Sequence, residues 1–308
     1  MDPITHCLVG ALLAKSARAP RRRFWLMTLL GDLPDVDVLF AGLGPWAFWL
    51  QHRGITHSLL GVVIQAFLCG WLFARFDKGP LIERVTQYSL PLFFHLGCDY
   101  LTSYGIPLLS PFSFREFSGD LVPAVTVIPL AFMVIGLLYL HRKDRDGWSA
   151  VRPLWAAWAF YLLISMSSKT YAARLAEPVE GPMTVVAGLV NPLKWIAVVQ
   201  KGSAYTYQPY AIDVLQGKKT IGALISTSSD GSAIRASLNS AEVKRFIETV
   251  RWPVARERIR IDGVDVEWGK MIFSSRGTVR GILNVHVAKD GTVTNVDHVF
   301  DFWNPAHS

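Results

Sequence analysis

The sequence predicts an α-helical membrane bundle of five or six apolar helices, followed by a small soluble α+β domain. Three observations predict it. First, charge is scarce: of 308 residues only 18% are Asp, Glu, Lys or Arg, and 51% are hydrophobic, where a soluble domain carries about 25% charge. Second, the scarcity is uneven. Residues 1–169 hold 15 Lys/Arg and 11 Asp/Glu, whereas the shorter stretch 170–308 holds 16 and 13. Third, Val122 to Leu140 runs nineteen residues without a charge, long enough as a helix to cross a hydrocarbon core of roughly 30 Å.

Taken in order, the apolar segments are Ile4–Ala14, Phe24–Phe40, Ser58–Ala74, Val85–Tyr104, Val122–Leu140 and Pro153–Ser168. Pro123 and Pro129 argue for a kinked span, since membrane helices tolerate proline. Basic residues fall between alternate segments: Lys15, Arg18 and Arg21 to Arg23; then Arg75, Lys78 and Arg84; then Arg142, Lys143, Arg145 and Arg152. If six segments cross in alternation, these twelve cations share one side, the cytoplasmic one. The chain after about Lys169 is then expected on the outer side. The net charge of +7 is thereby a matter of topology, and no recognition-helix or stacking pattern calls for nucleic acid. Cys7, Cys69 and Cys98 are odd in number and far apart, which excludes a disulfide scaffold.

The organisation expected is a helical domain over 1–169, a linker or irregular region over 170–219, and a soluble α+β domain over 220–308. In the last, Asn239-Ser240-Ala241-Glu242 reads as a helix start. Val243, Phe246, Ile247 and Val250 then repeat on one helical face. Asp262-Gly263 and Asp290-Gly291 read as hairpin turns between alternating apolar runs. His141, His286, His298 and His307 lack acidic clustering and read as surface or structural.

The chemistry is concentrated in the apolar half. Four strings place histidines and carboxylates in apolar surroundings: Asp2-Pro-Ile-Thr-His6; Gly31-Asp32-Leu-Pro-Asp35-Val-Asp37; His52-Arg53-Gly-Ile-Thr-His57-Ser58; and His95-Leu-Gly-Cys-Asp99. His95 and Asp99 are four apart, hence on one helical face. Asp32 and Asp35 are three apart and can converge, while the five-residue spacing of His52 and His57 fits a loop leading into a helix. In the six-segment arrangement all four strings reach the outer end. Imidazoles mixed with carboxylates suit zinc, manganese, iron or magnesium. The ligand candidates are His6, Asp32, Asp35, His52, His57, His95 and Asp99. Seven are too many for one tetrahedral zinc, which predicts two or three ions. Asp37, Arg53 and Asp120 are the candidates for supporting acid–base or substrate-binding roles. No HExxH, GxSxG or phosphate-cradling glycine loop competes.

The strings Thr5-His6, Gly31-Asp32-Leu33-Pro34-Asp35-Val36-Asp37, His52-Arg53-Gly54-Ile55-Thr56-His57-Ser58 and His95 to Asp99 with Thr102 and Gly105 resemble the YdjM-like family of bacterial membrane-bound metal-dependent hydrolases. That family is considered distantly similar to zinc-dependent phospholipase C and the single-strand-specific zinc nucleases. The resemblance implies a phospholipase C-like helical core at the bacterial inner membrane and metal-activated hydrolysis of a phosphoester, with a lipid or lipid-linked substrate following from a site at the bilayer surface. Two other readings stay open. One is hydrolysis of an amide or ester. The other is a metal-binding transport, sensing or scaffold module whose soluble domain grips an unidentified protein partner.

Overall fold

The computed structural model describes residues 1–43, 54–201, 205–226, 231–271 and 281–298. Helix α1 (Pro3–Ser16) starts where Asp2 accepts hydrogen bonds from the Thr5 backbone N–H (2.9 Å) and hydroxyl (2.7 Å), with Pro3 in the first helical turn; that position tolerates proline because its N–H would be unpaired anyway. Helix α2 (Arg21–Leu30) packs against it. Gly10 makes the approach possible, since a Cβ there would stand 2.3 Å from the Met27 carbonyl oxygen. Leu33–Leu43 forms a 3₁₀ segment and Ile55–His57 a shorter one. Helix α3 (Leu59–Leu72) and helix α4 (Leu81–Leu101) follow, joined through a 3₁₀ turn at Phe73–Arg75. Helices α5 (Val127–Arg142) and α6 (Trp148–Ala176) complete the helical series.

Helix α4 organises this unit by packing against α1, α2 and α3. Its buried face carries Arg84, Tyr88, Pro91, Leu92, His95 and Asp99, one stripe at the 3.6-residue period. Apolar stripe residues join Val62, Ala66 and Ile106 in one core cluster, and Tyr88 joins Val9, Met27, Met133 and Trp158 in another.

The expected bundle of membrane-spanning helices is not what forms. Among the described residues no helix is both long and apolar enough to cross a membrane. The apolar helices are short: α3 has 14 residues and α5 has 16, about 21 and 24 Å against a core of roughly 30 Å. The charge-free run Val122–Leu140 does not become one helix, because α5 begins only at Val127, after Thr126. The long helices are not apolar enough. Glu83, Arg84 and Asp99 lie within α4, and α6 dilutes its apolar residues with Arg152, Lys169 and several serines. The orientation inferred from alternating spans loses its basis with them. What the hydropathy does reflect is surface. On α3, Leu60, Val63, Ile64, Phe67, Leu68 and Trp71 form one helical stripe that is 40 to 64% exposed.

The chain divides into two compact units, residues 1–170 with 187–193, and residues 171–186 with 194–308. The second unit holds two sheets. In the first, β1 (Met183–Ala187), β2 (Lys194–Gln200), β3 (Thr206–Asp213) and β4 (Lys218–Ile221) lie in that order, and β5 (Ile225–Ser226) also pairs with β3. The stretch 170–219, expected as a linker or irregular region, thus supplies three whole strands and the start of a fourth. The second sheet is an antiparallel meander of β6 (Pro253–Ile259), β7 (Gly263–Lys270), β8 (Gly281–Ala288) and β9 (Val293–His298). Between the sheets in sequence come α7 (Ser232–Ser237) and α8 (Ala241–Thr249). Helix α8 is capped by Ser240, whose Oγ accepts from the Val243 N–H, and buries Val243 and Phe246. The Trp268 indole N–H donates to Ser237 Oγ at 3.1 Å, tying α7 to the meander.

Candidate metal centre

Four side chains from three segments converge in the helical unit. Asp35 comes from the 3₁₀ segment after α2, His57 from the short 3₁₀ turn before α3, and His95 and Asp99 from successive turns of α4. One ligand atom from each lies within 4.8 Å of all the others. His57 Nε2 is 3.1 Å from Asp35 Oδ1, 3.1 Å from His95 Nε2 and 3.6 Å from Asp99 Oδ2. His95 Nε2 is 3.8 Å from both Asp35 Oδ1 and Asp99 Oδ2. An ion with tetrahedral bonds of about 2.0–2.1 Å holds its ligand atoms roughly 3.3–3.4 Å apart. The five distances bracket that edge length.

The imidazoles are turned toward this point by their other nitrogens. His95 Nδ1 donates to the Gly31 carbonyl at 2.8 Å. Since a carbonyl only accepts, Nδ1 carries the proton and Nε2 offers a lone pair. Burial holds the His95 pKa well below its ordinary value, so the ring is neutral. His57 Nδ1 lies 3.2 Å from Asp37 Oδ2, and that same oxygen accepts from the Thr56 hydroxyl at 2.7 Å. Asp37, expected in an acid–base or supporting role, therefore orients His57 as an outer carboxylate does for a metal-bound imidazole. Burial alone would lower the His57 pKa, but its hydrogen bonds with Asp35 and Asp37 raise it. For Asp35, burial raises the pKa, but the hydrogen bond with His57 and the nearby His95 imidazole outweigh it, bringing the carboxyl down to about 2.

His6 lies against the four without being one of them. Its ring stacks on His95 at 3.7 Å between centroids, and Nε2 is 3.2 Å from Asp99 Oδ1. The amino group of Met1 also contacts Asp99 Oδ1. Gly31 permits this closeness, since a Cβ there would be 2.3 Å from the His6 carbonyl oxygen. Next to it, Asp32 is raised to about 6, by burial first and then by the charge of Asp35. Asp120 is not among the converging ligands; it is buried, has a left-handed φ of 52° and accepts from Ser118 Oγ at 2.8 Å. His52 and Arg53 lie outside the described residues.

Sequence reasoning missed several partners. Thr56 and the Gly31 carbonyl carry no signal beyond their adjacency to the ligands. His286, read as lacking acidic clustering, has two carboxylates beside it: Nδ1 is 2.7 Å from Asp265 Oδ1, and Nε2 is 3.6 Å from Asp262 Oδ2. The register that pairs Asp265 with His286 across β7 and β8 brings them together.

Fold and site together define a helical unit with a buried His₂Asp₂ cluster of metal-binding geometry, joined to a unit of two sheets. The comparisons place that helical unit. Residues 1–175 match the family described as YdjM inner membrane protein, more than half of the chain, and the chain belongs to that family. It is 28% identical over 145 residues to inner membrane protein YbcI of Escherichia coli K12, covering 45% of this chain and 83% of YbcI. It is 33% identical over 101 residues to inner membrane protein YdjM of the same organism, covering 30% of this chain and 50% of YdjM. The match to YdjM thus spans about half of that relative's length. YdjM of Shigella flexneri matches to the same extent. No solved structure matches the chain.

Proposed function

We propose that the chain is a metal-dependent hydrolase of the inner membrane that cleaves a phosphoester, with zinc as the ion best suited to the site. The observation that carries the reading is the meeting of two imidazole Nε2 atoms at 3.1 Å with Asp35 and Asp99 around them, each imidazole anchored at its opposite nitrogen. A pair of nitrogens so placed gains most from a cation between them. Bound there, the ion would supply Lewis acidity and a water of lowered pKa. Asp35 is the ligand whose side chain reaches solvent, at 15% against 0% for the other three, so the cluster opens on its side. The same segment turns Asp35 and Asp37 inward and leaves Val36, Val38 and Leu39 exposed. An apolar rim beside a metal site suits an amphiphilic substrate, a lipid or lipid-linked phosphoester.

One observation favours a second reading. Four protein ligands already close a tetrahedron, as structural metal sites do, so the centre would serve a sensing or scaffold module without turnover. Turnover separates the two. The purified protein loaded with zinc or manganese is offered a chromogenic phosphodiester, a chromogenic carboxylic ester and phospholipid micelles. The proposal expects phosphoester cleavage that a chelator stops and that His95→Ala abolishes together with bound metal. Bound metal with no turnover on any substrate overturns it in favour of the second reading, and cleavage of the carboxylic ester alone replaces the substrate class.

A further inference from the structure

Helix α3 is built of apolar residues and glycine except at one place, Gln65. Val63, Ile64, Phe67 and Leu68 around it are exposed, whereas Gln65 is half-buried. Its side chain meets two carbonyl oxygens, of Thr56 at 2.9 Å and of Gly61 at 3.2 Å. Carbonyls only accept, so the group facing both is the amide NH₂, and it donates to each. The bond to Gly61 stays within the helix. The bond to Thr56 leaves it and reaches the turn that carries His57. Gly61, one helical turn before Gln65 and on the same face, lets that turn lie close, since a Cβ there would collide with the Ile55 carbonyl oxygen. Thr56 is thereby held at both ends: its carbonyl by Gln65, and its hydroxyl by Asp37 Oδ2 at 2.7 Å.

We propose that Gln65 is a positioning residue of the metal centre: by holding the Thr56 carbonyl it sets the direction from which the His57 imidazole enters the site. The proposal rests on the metal-centre reading above and adds to it a residue from an otherwise apolar helix. The link is covalent geometry. The Thr56 carbonyl and the His57 N and Cα lie in one peptide plane, so fixing that oxygen fixes the plane from which the His57 side chain departs. Asp37 then sets the ring's rotation at Nδ1, 3.2 Å away, and Nε2 arrives 3.1 Å from both Asp35 Oδ1 and His95 Nε2. Without the amide the Thr56 carbonyl loses its bond to α3, and the His57 turn keeps its tie to the helix only through Ser58. Gln65 touches no ligand atom; it acts through the backbone of the residue before His57.

The test uses the full chain and Co²⁺, whose visible absorption reports the arrangement of its ligands. Wild type and Gln65→Met, which keeps the length of the side chain and removes its donors, are stripped with a chelator and titrated with Co²⁺ against a competing chelator. The expected result is an affinity about tenfold lower in Gln65→Met, at the lower end of the range for groups that orient a metal-bound imidazole, together with an altered Co²⁺ spectrum. Asp77→Asn, which weakens the same helical unit away from the site, is expected to leave both unchanged. An equal loss in Asp77→Asn would trace the effect to general loosening and overturn the positioning role. Should Gln65→Met not fold, Gln65→Asn carries the test: it keeps the amide but withdraws it by one methylene, and a smaller loss of the same sign is expected. Wild-type affinity and spectrum in a folded Gln65 variant overturn the proposal and leave the metal centre intact. A wild-type protein that binds no Co²⁺ overturns the metal-centre reading itself, so the two failures are distinguishable.

Discussion

One face of α4 carries two polar clusters about 16 Å apart along the helix axis, and they solve the same problem in opposite ways. Near the N-terminal end, Asp77 is met by a guanidinium. Arg23 Nε and Nη2 donate to its two oxygens at 2.6 and 2.7 Å, while Arg23 Nη1 reaches Glu83 at 2.5 Å and Gln87 at 2.8 Å. The Tyr88 hydroxyl donates to Asp77 Oδ2 at 2.9 Å, and Arg84 donates to the carbonyls of Gly70, Asp77 and Gly79. The charges are compensated by the chain's own cations, in the bidentate geometry that suits arginine. Near the C-terminal end, the Asp35 and Asp99 carboxylates are met by imidazoles, whose charge depends on protonation, and the imidazoles face one another. The first cluster is complete as it stands. The second becomes complete when a cation arrives, and that difference separates a structural clamp from a site.

The sharpest way to break the comparison is to damage the clamp. Removing one partner of a buried ion pair leaves the other charge uncompensated, which costs about 3–5 kcal/mol. Asp77→Asn is therefore expected to lower stability by that order in chemical denaturation, with the metal count unchanged. A variant that loses metal as readily as stability would show that the two clusters form one cooperative structure.

Asp37→Asn acts on the other cluster and is gentler. The oxygen held by Thr56 and His57 remains, but the carboxylate charge that orients the imidazole is lost. Outer-ligand changes of this kind cost about 10–100-fold in metal affinity, which a competitive chelator titration measures. An unchanged affinity would remove Asp37 from the site.

The pH dependence of the metal-free protein sets Asp77 and Asp32 apart by sign. Hydrogen bonds from Arg23 hold the Asp77 carboxyl below the usual carboxylate range. Its contribution is present above the unfolded pKa and is lost as pH falls through the lower folded value. Asp32 is raised to about 6, by burial and the charge of Asp35, so the folded state binds more protons than the unfolded one between roughly pH 4 and 6. Stability falls as pH rises through that window, by a half-buried group's reduced share. Denaturation midpoints across pH are expected to show a smaller acid limb in Asp77→Asn and a smaller fall between roughly pH 4 and 6 in Asp32→Asn. An unchanged fall over that window in Asp32→Asn would sink the Asp32 assignment.

How much of this was legible in sequence depends on the distance over which each contact is made. His95 and Asp99 share a helix, so four-residue spacing sufficed to pair them. The hairpin turns were legible from Asp-Gly between alternating runs, and the apolar face of α8 from its period. The Arg23–Asp77 pair spans 54 residues, and charge alone made Arg23 look like a topology marker. The Asp265–His286 contact needed the register of β7 on β8, which side-chain types do not specify. The expectation of membrane-spanning helices erred for a physical reason: a hydropathy window sums residues without knowing where helices start. Thr126 interrupts the most apolar run, and the longest helices have their hydropathy lowered by charged and polar residues. The apolar side chains behind the count are real, and many of them are exposed, on α3 as the stripe above and on α5 at Ile128, Ile135 and Leu138.

The smallest effect tests whether His57 is placed by its neighbours or by the metal alone. Ser58 caps α3: its Oγ accepts from the Gly61 N–H at 3.0 Å and donates to the Ile55 carbonyl at 2.8 Å. It thereby joins the turn that carries His57 to the helix behind it. Ser58→Ala removes both bonds and is expected to cost about 1 kcal/mol, the usual value of an N-cap, in the metal-free protein. If the cap also aims the imidazole, metal affinity falls further than in Ser58→Thr, which keeps the hydroxyl. Equal affinity in the two variants would mean that Asp37 and Thr56 suffice to hold the ring. In the clamp the corresponding tie to the backbone is made by the Arg84 guanidinium, which donates to three carbonyls.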